Sequence, residues 1–566
     1  MKTMYKFLPK ENLSFIYAHY FLLLFICPFL ISFLGFFAGF SMSRFYFPIC
    51  ILVSSYVFIV QMKNLVPLRE AVKHLLFVTL LLLGAFIVCT QILDTSYDGL
   101  WYHQHAIIKL SEGWNPVQNP FYAPTKYEAN NYLWIQHYPK ASWIISASIY
   151  KMCGWVESGK TINFISAFSV LFFAYAVFLK LLKGRPVYAL AFALIISFNP
   201  AVTSQLLTDY VDGNISAMLS LILLCLLNLQ QTDKYFARWN WFVLCSALVI
   251  ISNIKFTGLF MAGIMIGIFS LYWWWNKEPM RMIFRKYILI AGVAIGAIVI
   301  FGCNPYFYNW YYKGYVFYPL NVKEKISILE SALPESLEGK NSLEKLFIST
   351  FSEADAETHS KNTNWKNPFT VTQKDIRVFA SADVRLGARG PLFLLAFLLS
   401  ILSAVIFFSQ MPRAKRGLLV CSLLAVFISV ILTPYGWWAR YTPQFFLIPV
   451  LLNTFSLSTN KTYRTPLIKY LPVVVLALFC LNLILVGAPN LVANIIKTRN
   501  IQKEMTELKA KNGPILINFS HTQFQAIRTR LKEAGIQFKD CDTLKTNVQE
   551  LISINRLYGY GPLYQK

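Results

Sequence analysis

Acids are scarce in this chain: 27 Asp and Glu stand against 52 Lys and Arg in 566 residues, a formal net charge of +25. Histidine is scarcer, with 7. Charged residues of both signs reach 14%, where a soluble domain carries roughly 25%. That shortfall argues against an ordinary soluble enzyme. Positive charge of this size suits a nucleic-acid binder only if it forms a basic face. Here Lys and Arg stand in short clusters between apolar runs, where they set membrane topology, so no nucleic-acid partner is expected. The ten cysteines (Cys27, Cys50, Cys89, Cys153, Cys225, Cys245, Cys303, Cys421, Cys480 and Cys541) form no CxxC pair, and most lie inside apolar runs. They read as small hydrophobes rather than a disulfide or zinc framework. No HExxH spacing points to zinc, and no internal repeat is visible.

Hydrophobic residues make up 56% of the chain and the mean hydropathy is +0.48. Candidate spans are 15–38, 45–61, 74–92, 160–181, 186–199, 213–229, 239–254, 257–275, 287–303, 391–409, 417–433, 442–458 and 468–487. These predict an all-α polytopic membrane protein with about thirteen transmembrane helices. The first run is too long for a signal-peptide core and lacks a cleavage site, so it reads as a retained span. Two helices in 1–73 precede a core over 74–487, and 488–566 reads as a small α/β soluble domain. Its elements are a helix over Asn494–Lys511, a strand over Pro514–Phe519, a helix over Gln523–Ala534 and a further strand at Gly535–Phe538.

Every second connection is basic. Lys2, Lys6 and Lys10 open the series, Lys63, Arg69 and Lys73 follow, and Lys461, Arg464 and Lys469 close it. The N-terminus is then cytoplasmic and the tail extracytoplasmic. The outer face is built from loops 93–159, 199–212, 304–390 and 434–441. Trp143–Tyr150, between Pro139 and Gly154, reads as an interfacial helix lying on the membrane.

The rare polar residues concentrate on that face. Asp94-Thr95-Ser96-Tyr97-Asp98-Gly99-Leu100-Trp101-Tyr102-His103-Gln104-His105 holds two carboxylates and two histidines within twelve residues. If the stretch is helical, Asp94 and Asp98 share a face. His103 and His105 suit proton transfer, a metal or a plain polar loop. Asp209 and Asp212 form a second acidic pair. Asp212 serves equally as a helix N-cap or as a substrate, metal or loop partner, whereas Asp209 reads as a cap or a solvated acid. Two cations break the rule that short outer connections are poor in Lys and Arg: Lys255, and Arg440 beside Trp437, Trp438 and Tyr441. Both suit an anionic headgroup, with snorkelling to lipid phosphate as the plainer alternative. Arg385 and Arg389 bring two more cations to the mouth of a span. Asn304-Pro305 opens a run dense in aromatics, which suits a sugar site or an interfacial belt.

The order of these motifs resembles the GT-C superfamily of integral-membrane glycosyltransferases over about residues 74–450. Asp98-Gly99-Leu100-Trp101-Tyr102-His103 is similar to that family's Asp-x-x-x-Tyr-His opening. His137-Tyr138-Pro139-Lys140 through Gly154 resembles its Pro-led interfacial helix. Asp212 matches an acidic position in its second outer loop. Lys255-Phe256-Thr257-Gly258, Asn304-Pro305 and Arg440-Tyr441-Thr442-Pro443 match later motifs. The resemblance implies a GT-C-like fold at a bacterial inner membrane. It implies an inverting transferase that moves a sugar from a polyprenyl-phosphate-linked donor to a hydroxyl of a glycan, lipid or protein acceptor at the outer face. Asp98 would be the general base, and Lys255, Arg440, Arg385 and Arg389 would hold the donor phosphate. Asp94, Tyr102, His103, Asp212, Asn304 and Tyr441 would contact substrate. The family has metal-assisted and metal-free members, so a divalent cation (Mg or Mn) on Asp98, Asp94 or Asp212 stays open. A transporter or flippase of a lipid-linked glycan is the main rival, a transferase of another subclass, such as an oligosaccharide ligase, the next, and a non-catalytic receptor the third. Charges gathered in outer loops, not at mid-membrane, favour the transferase.

Overall fold

The computed structural model describes residues 10–122, 131–229, 234–320, 332–359, 361–459, 466–510, 513–519, 525–540, 548–550 and 563–565. Lys2, Lys6, Lys461, Arg464 and Cys541, part of the 304–390 loop and the ends of both expected tail helices (Lys511, Gln523, Phe524) lie outside the described residues.

The chain is mostly helical, as a membrane interior demands, because a helix satisfies its backbone hydrogen bonds within itself. Among the described residues, 8 helices are long and apolar enough to cross a membrane: Glu11–Phe37, Tyr46–Lys63, Leu68–Gln91, Val156–Leu181, Phe256–Trp275, Met280–Phe301, Arg413–Ile431 and Ile468–Lys509. Five shorter apolar helices are also present: Pro186–Ser197, Asp212–Asn228, Arg238–Ser252, Phe393–Phe408 and Pro443–Leu457. The short Asp212–Asn228 helix is buried along its whole length, so neighbouring helices surround it on every side.

The first helix is part of the central packing. Phe15 meets Phe173 edge-on at 5.3 Å between ring centres, Phe21 stacks on Phe172 at 5.8 Å, and Ser14 donates to the Phe172 carbonyl at 2.7 Å. Helices Tyr46–Lys63 and Leu68–Gln91 lie further out, with Leu52, Tyr56, Leu76 and Leu80 exposed as on a lipid-facing surface.

Two elements differ from the sequence-based expectation. The helix expected to lie on the membrane, Ala141–Cys153, is buried at every position from Ala141 to Ile149, so protein rather than lipid covers it. It ends at Gly154, whose φ of 78 is left-handed. The last span and the first tail helix are one helix, Pro466–Lys509, of 44 residues. The helix runs through Pro489, and the Asn494 side-chain amide donates to the Asn490 carbonyl one turn back at 3.0 Å. At 1.5 Å per residue such a helix is about 66 Å long, more than a bilayer core requires, so its last turns leave the apolar layer.

Those turns carry a small sheet in the order β2-β1-β4-β3: Phe538–Asp540, Ile515–Asn518, Leu563–Gln565 and Val548–Glu550. β1 runs parallel to β2, with Ile515 opposite Phe538, and antiparallel to β4, with Ile517 opposite Tyr564. The Gln525–Glu533 helix connects β1 to β2. Its Ile527 and Leu531 pack with Ile515, Ile517 and Phe519, as a crossover helix over a parallel pair does.

Candidate active site

Arg440 is the centre of the polar cluster. It lies in the turn after the Arg413–Ile431 helix, with Trp438 and Tyr441 on either side. Its guanidinium sits 4.4 Å from the Trp438 ring centre, 4.8 Å from Tyr210 and 5.2 Å from Tyr441. The aromatic cage removes water, and three carboxylates replace it. Nη2 donates to Asp98 Oδ2 at 2.8 Å, Nη1 lies 3.1 Å from Asp383 Oδ1, and Nε lies 3.7 Å from Asp212 Oδ2. Lys255 closes the far side. Its Nζ donates to Asp212 Oδ1 at 2.8 Å and stands 3.9 Å from the Tyr441 ring centre. Five distant parts of the chain therefore meet at one point.

Local sequence explains how each acid is held. Asp98 precedes a π-helical turn, Gly99–His103. The turn is tight: an added Cβ at Gly99 would fall 2.1 Å from Asp94 Oδ2 and 2.3 Å from Ser96 Oγ, so any larger residue displaces these side chains. The Asp98 backbone N–H donates to the Tyr210 hydroxyl at 3.3 Å. Asp212 opens a helix, and its Oδ2 also accepts from Gln205 Nε2 at 3.4 Å.

Burial pushes the Asp98 carboxyl above the usual aspartate range, while Arg440 pulls it back down and Asp383 and Asp212 push it up. The result is a carboxylate more basic than a solvated one and already turned toward a cation. His103 is buried, and burial lowers its ring to about 3, so it is neutral. The Trp143 indole N–H donates to His103 Nδ1 at 2.7 Å, which leaves the ring proton on Nε2. Tyr102 packs against His103 at 4.1 Å between ring centres.

The structure brings together Asp98, Asp212, Lys255, Arg440 and Tyr441 of the residues picked from sequence. It adds Asp383 and Tyr210, which were passed over. Asp383 stands two residues before Arg385 in the sequence, so a signal was present beside the arginines. Arg385 reaches the edge of the cluster. Its guanidinium lies 5.1 Å from the Trp438 ring centre and donates to the Ala356 and Ala332 carbonyls. Arg389 is elsewhere, stacked 4.5 Å from the Phe445 ring centre and donating to Thr350 Oγ1 at 3.3 Å. Burial lowers it to about 9, and its Nη2 has no hydrogen-bond partner.

Asn304, Asp94 and His105 stand apart from Arg440. Asn304 accepts from Lys140 Nζ at 2.7 Å and donates to the Pro116 carbonyl at 2.8 Å, so both ends of its amide tie loops together. His105 Nδ1 is bonded to Asn131 Nδ2 at 2.9 Å. Asp94 accepts the backbone N–H of Ser96 and of Asp209, each at 2.7 Å. Asp209, expected as a cap or a solvated acid, is buried and accepts from Gln104 Nε2 at 2.8 Å. With Asp94 in this second cluster and Asp98 and Asp212 spanned by Arg440 and Lys255, the three acids do not converge on one cation. No group of three His, Cys, Asp or Glu side chains suited to a metal occurs among the described residues.

Beyond Arg440 the chain turns through Pro443–Phe446, and Phe445 lines a cavity of ≈ 510 Å³. Phe347 and Phe351 from the Ser342–Phe351 helix, Phe397 and Phe427 form its other walls. Thr350 and Phe445, which both touch Arg389, line it too. Compared with protein-family models, curated proteins and solved structures, the chain gives no significant match.

Proposed function

We propose that the protein is a membrane-embedded glycosyltransferase that takes a sugar from a polyprenyl-phosphate donor and moves it, with inversion, to an acceptor hydroxyl. The observation that carries this reading is the Asp98–Arg440 pair: a half-buried carboxylate, raised above the usual aspartate range, in contact with a cation whose second neighbour is Lys255 through Asp212. Sugar transfer from a phosphate needs these two groups together. The acceptor oxygen attacks the anomeric carbon, its proton passes to Asp98, and the carbon–phosphate oxygen bond breaks with its electron pair leaving on phosphate. Arg440 and Lys255 hold the charge that grows there. Arg385 stands one aromatic ring away, and His103 supplies a neutral Nε2–H donor. The aromatic walls, Tyr102, Tyr210, Trp438 and Tyr441, suit the apolar face of a sugar ring. The phenylalanine-lined cavity, with Arg389 behind its Thr350 and Phe445 walls, suits the lipid of the donor. In this reading the five shorter apolar helices also cross, giving about thirteen spans with the site on the outer face.

The test is transfer from synthetic polyprenyl-phosphate sugars by purified protein, wild type beside Asp98→Asn, with and without chelator. The wild type transfers, the variant loses about 10²–10⁴-fold in rate, and chelator changes neither. If intact wild-type protein releases no polyprenyl phosphate from any donor, the transferase reading falls. The transporter reading then takes its place.

A further inference from the structure

The two loops that bring acids to Arg440, 93–98 and 208–212, hang from one buried cluster that the chemistry above does not use. Asp94 links them directly: Oδ1 accepts the Ser96 N–H and Oδ2 the Asp209 N–H, both at 2.7 Å. Glu157 Oε2 accepts the Asp94 N–H at 2.8 Å and lies 2.5 Å from Lys160 Nζ. Gln104 Nε2 donates to Asp209 Oδ2 at 2.8 Å and to Glu157 Oε1 at 3.3 Å. The cluster is closed from the C-terminal segment by Arg530, on the Gln525–Glu533 helix. Its Nε donates to Glu157 Oε1 at 2.7 Å, and its Nη2 donates to the Asp94 carbonyl at 2.7 Å and to Gln104 Oε1 at 3.2 Å. No member is more than 7% exposed.

Contacts make Arg530 a required part of this arrangement. Buried Glu157 holds two cations, Arg530 and Lys160. Burial, with Asp94 and Glu157 nearby, pushes the Asp209 carboxyl well above the usual range. Removing Arg530 takes one of the two cations from Glu157 and a donor from the Asp94 carbonyl, where water does not reach. Apolar packing grips the other side of the same loop. Leu100 and Trp101, two and three residues past Asp98, are buried in one core with Ile501, Ile517, Ile527 and Leu531 of the C-terminal segment. That segment therefore holds the loop on both sides of Asp98, before it at Asp94 and after it at Leu100 and Trp101.

We infer that the C-terminal segment is a clamp that fixes the position of Asp98, and that Arg530 is its positioning residue. The inference rests on the transferase reading for its kinetic consequence, but the clamp itself has a separate readout. A positioning residue acts on the rate of the chemical step rather than on donor binding.

The experiment uses the full-length protein and compares Arg530→Met with wild type, with Lys532→Met as control. Lys532 is exposed on the same helix and carries the same charge. Arg530→Met lowers kcat by about tenfold to a hundredfold and leaves KM for the donor within about twofold. Amide hydrogen exchange rises in peptides covering 93–105 and 205–213 and not in the Thr161–Leu181 helix. Arg530→Lys, which keeps one cation, falls between, and added guanidinium restores part of the activity of Arg530→Ala. Lys532→Met behaves as wild type in both measurements. Wild-type exchange in the two loops of Arg530→Met overturns the clamp, as does a rise spread evenly over all helices. If Arg530→Met does not purify intact, Arg530→Lys carries the same two readouts with the same directions. If wild type transfers nothing, the transferase reading has failed, and the exchange arm still decides the clamp.

Discussion

Replacing Arg440 with Met tests whether the cation sets the basicity of Asp98. Three carboxylates share this guanidinium, at 2.8, 3.1 and 3.7 Å. At 2.8 Å the gross attraction is about 6 kcal/mol for an effective dielectric near 20. Desolvation offsets part of it, and removing one partner of a buried pair costs about 3–5 kcal/mol, so the fold is strongly stressed but the carboxylates have an escape. They take up protons. Burial already raises Asp98 and Arg440 restrains it, so losing Arg440 sends it higher. A carboxyl raised in the folded state stabilises below its unfolded value, and that contribution is lost as pH rises through the folded value. Arg440→Met is therefore least destabilised in mild acid and most destabilised in mild alkali. Under the transferase reading the acid limb of kcat/KM moves up for the same reason, and the plateau falls by about 10²–10³-fold as the leaving phosphate loses a cation. Arg440→Lys keeps charge without the fork and shows a smaller displacement. The assay is donor turnover and thermal unfolding across pH in detergent. An acid limb in Arg440→Met that coincides with wild type, with only the plateau lowered, would refute the coupling between Arg440 and Asp98.

Gly99→Ala forces a Cβ against Asp94 Oδ2, which the Asp209 N–H holds in place, so the loop must shift. Transfer falls by about 10²-fold while stability drops by only about 1–3 kcal/mol, measured by turnover and by thermal unfolding. Burial raises Glu533 to about 7 while it accepts the Val156 N–H at 3.0 Å. Its raised value means its stabilisation is present below the unfolded carboxylate range and fades as pH passes about 7. Hydrogen exchange near 150–160 therefore quickens from pH 6 to pH 8 in wild type by more than chemical exchange alone gives. Glu533→Gln abolishes that excess, and an excess that persists in the variant counts against the assignment.

The helices and the Arg440 cluster were legible because both break a strong background. Apolar runs near bilayer length leave little freedom, and an Arg or Lys in a short outer connection is costly enough to be noticed. Lys255 and Arg440 announced themselves in this way, and Asp98 and Asp212 stood out as rare acids in the outer loops. Two kinds of information were not local. Burial of the Ala141–Cys153 helix comes from neighbours far along the chain, so its apolar, Trp-bearing sequence reads the same on a lipid surface as inside protein. Asp94 and Asn304 sit in motifs that point to substrate, yet their side chains are consumed by backbone N–H groups and by Lys140. Arg530 was invisible for the opposite reason. Its helix Gln525–Glu533 is polar, like any solvated helix, and only the fold shows that this arginine faces a buried glutamate 373 residues away.

The pairing in the donor-free state also sets the order of events under the transferase reading. Arg440, Lys255 and Arg385 stand against Asp98, Asp212 and Asp383, so the cluster is electrically balanced before any substrate arrives. An anionic phosphate brings the balance to net negative. The carboxylate nearest the incoming charge loses its share of Arg440 and becomes a better proton acceptor, because a like charge disfavours its ionised form. Asp98 is placed for that role, since it is bound to Arg440 through a single Nη2 contact, whereas Asp212 keeps Lys255 as a second partner. Donor binding thus turns a neutralised carboxylate into a base. An acceptor hydroxyl then meets that base only when the sugar to be attacked is already in place, which protects the donor from idle hydrolysis.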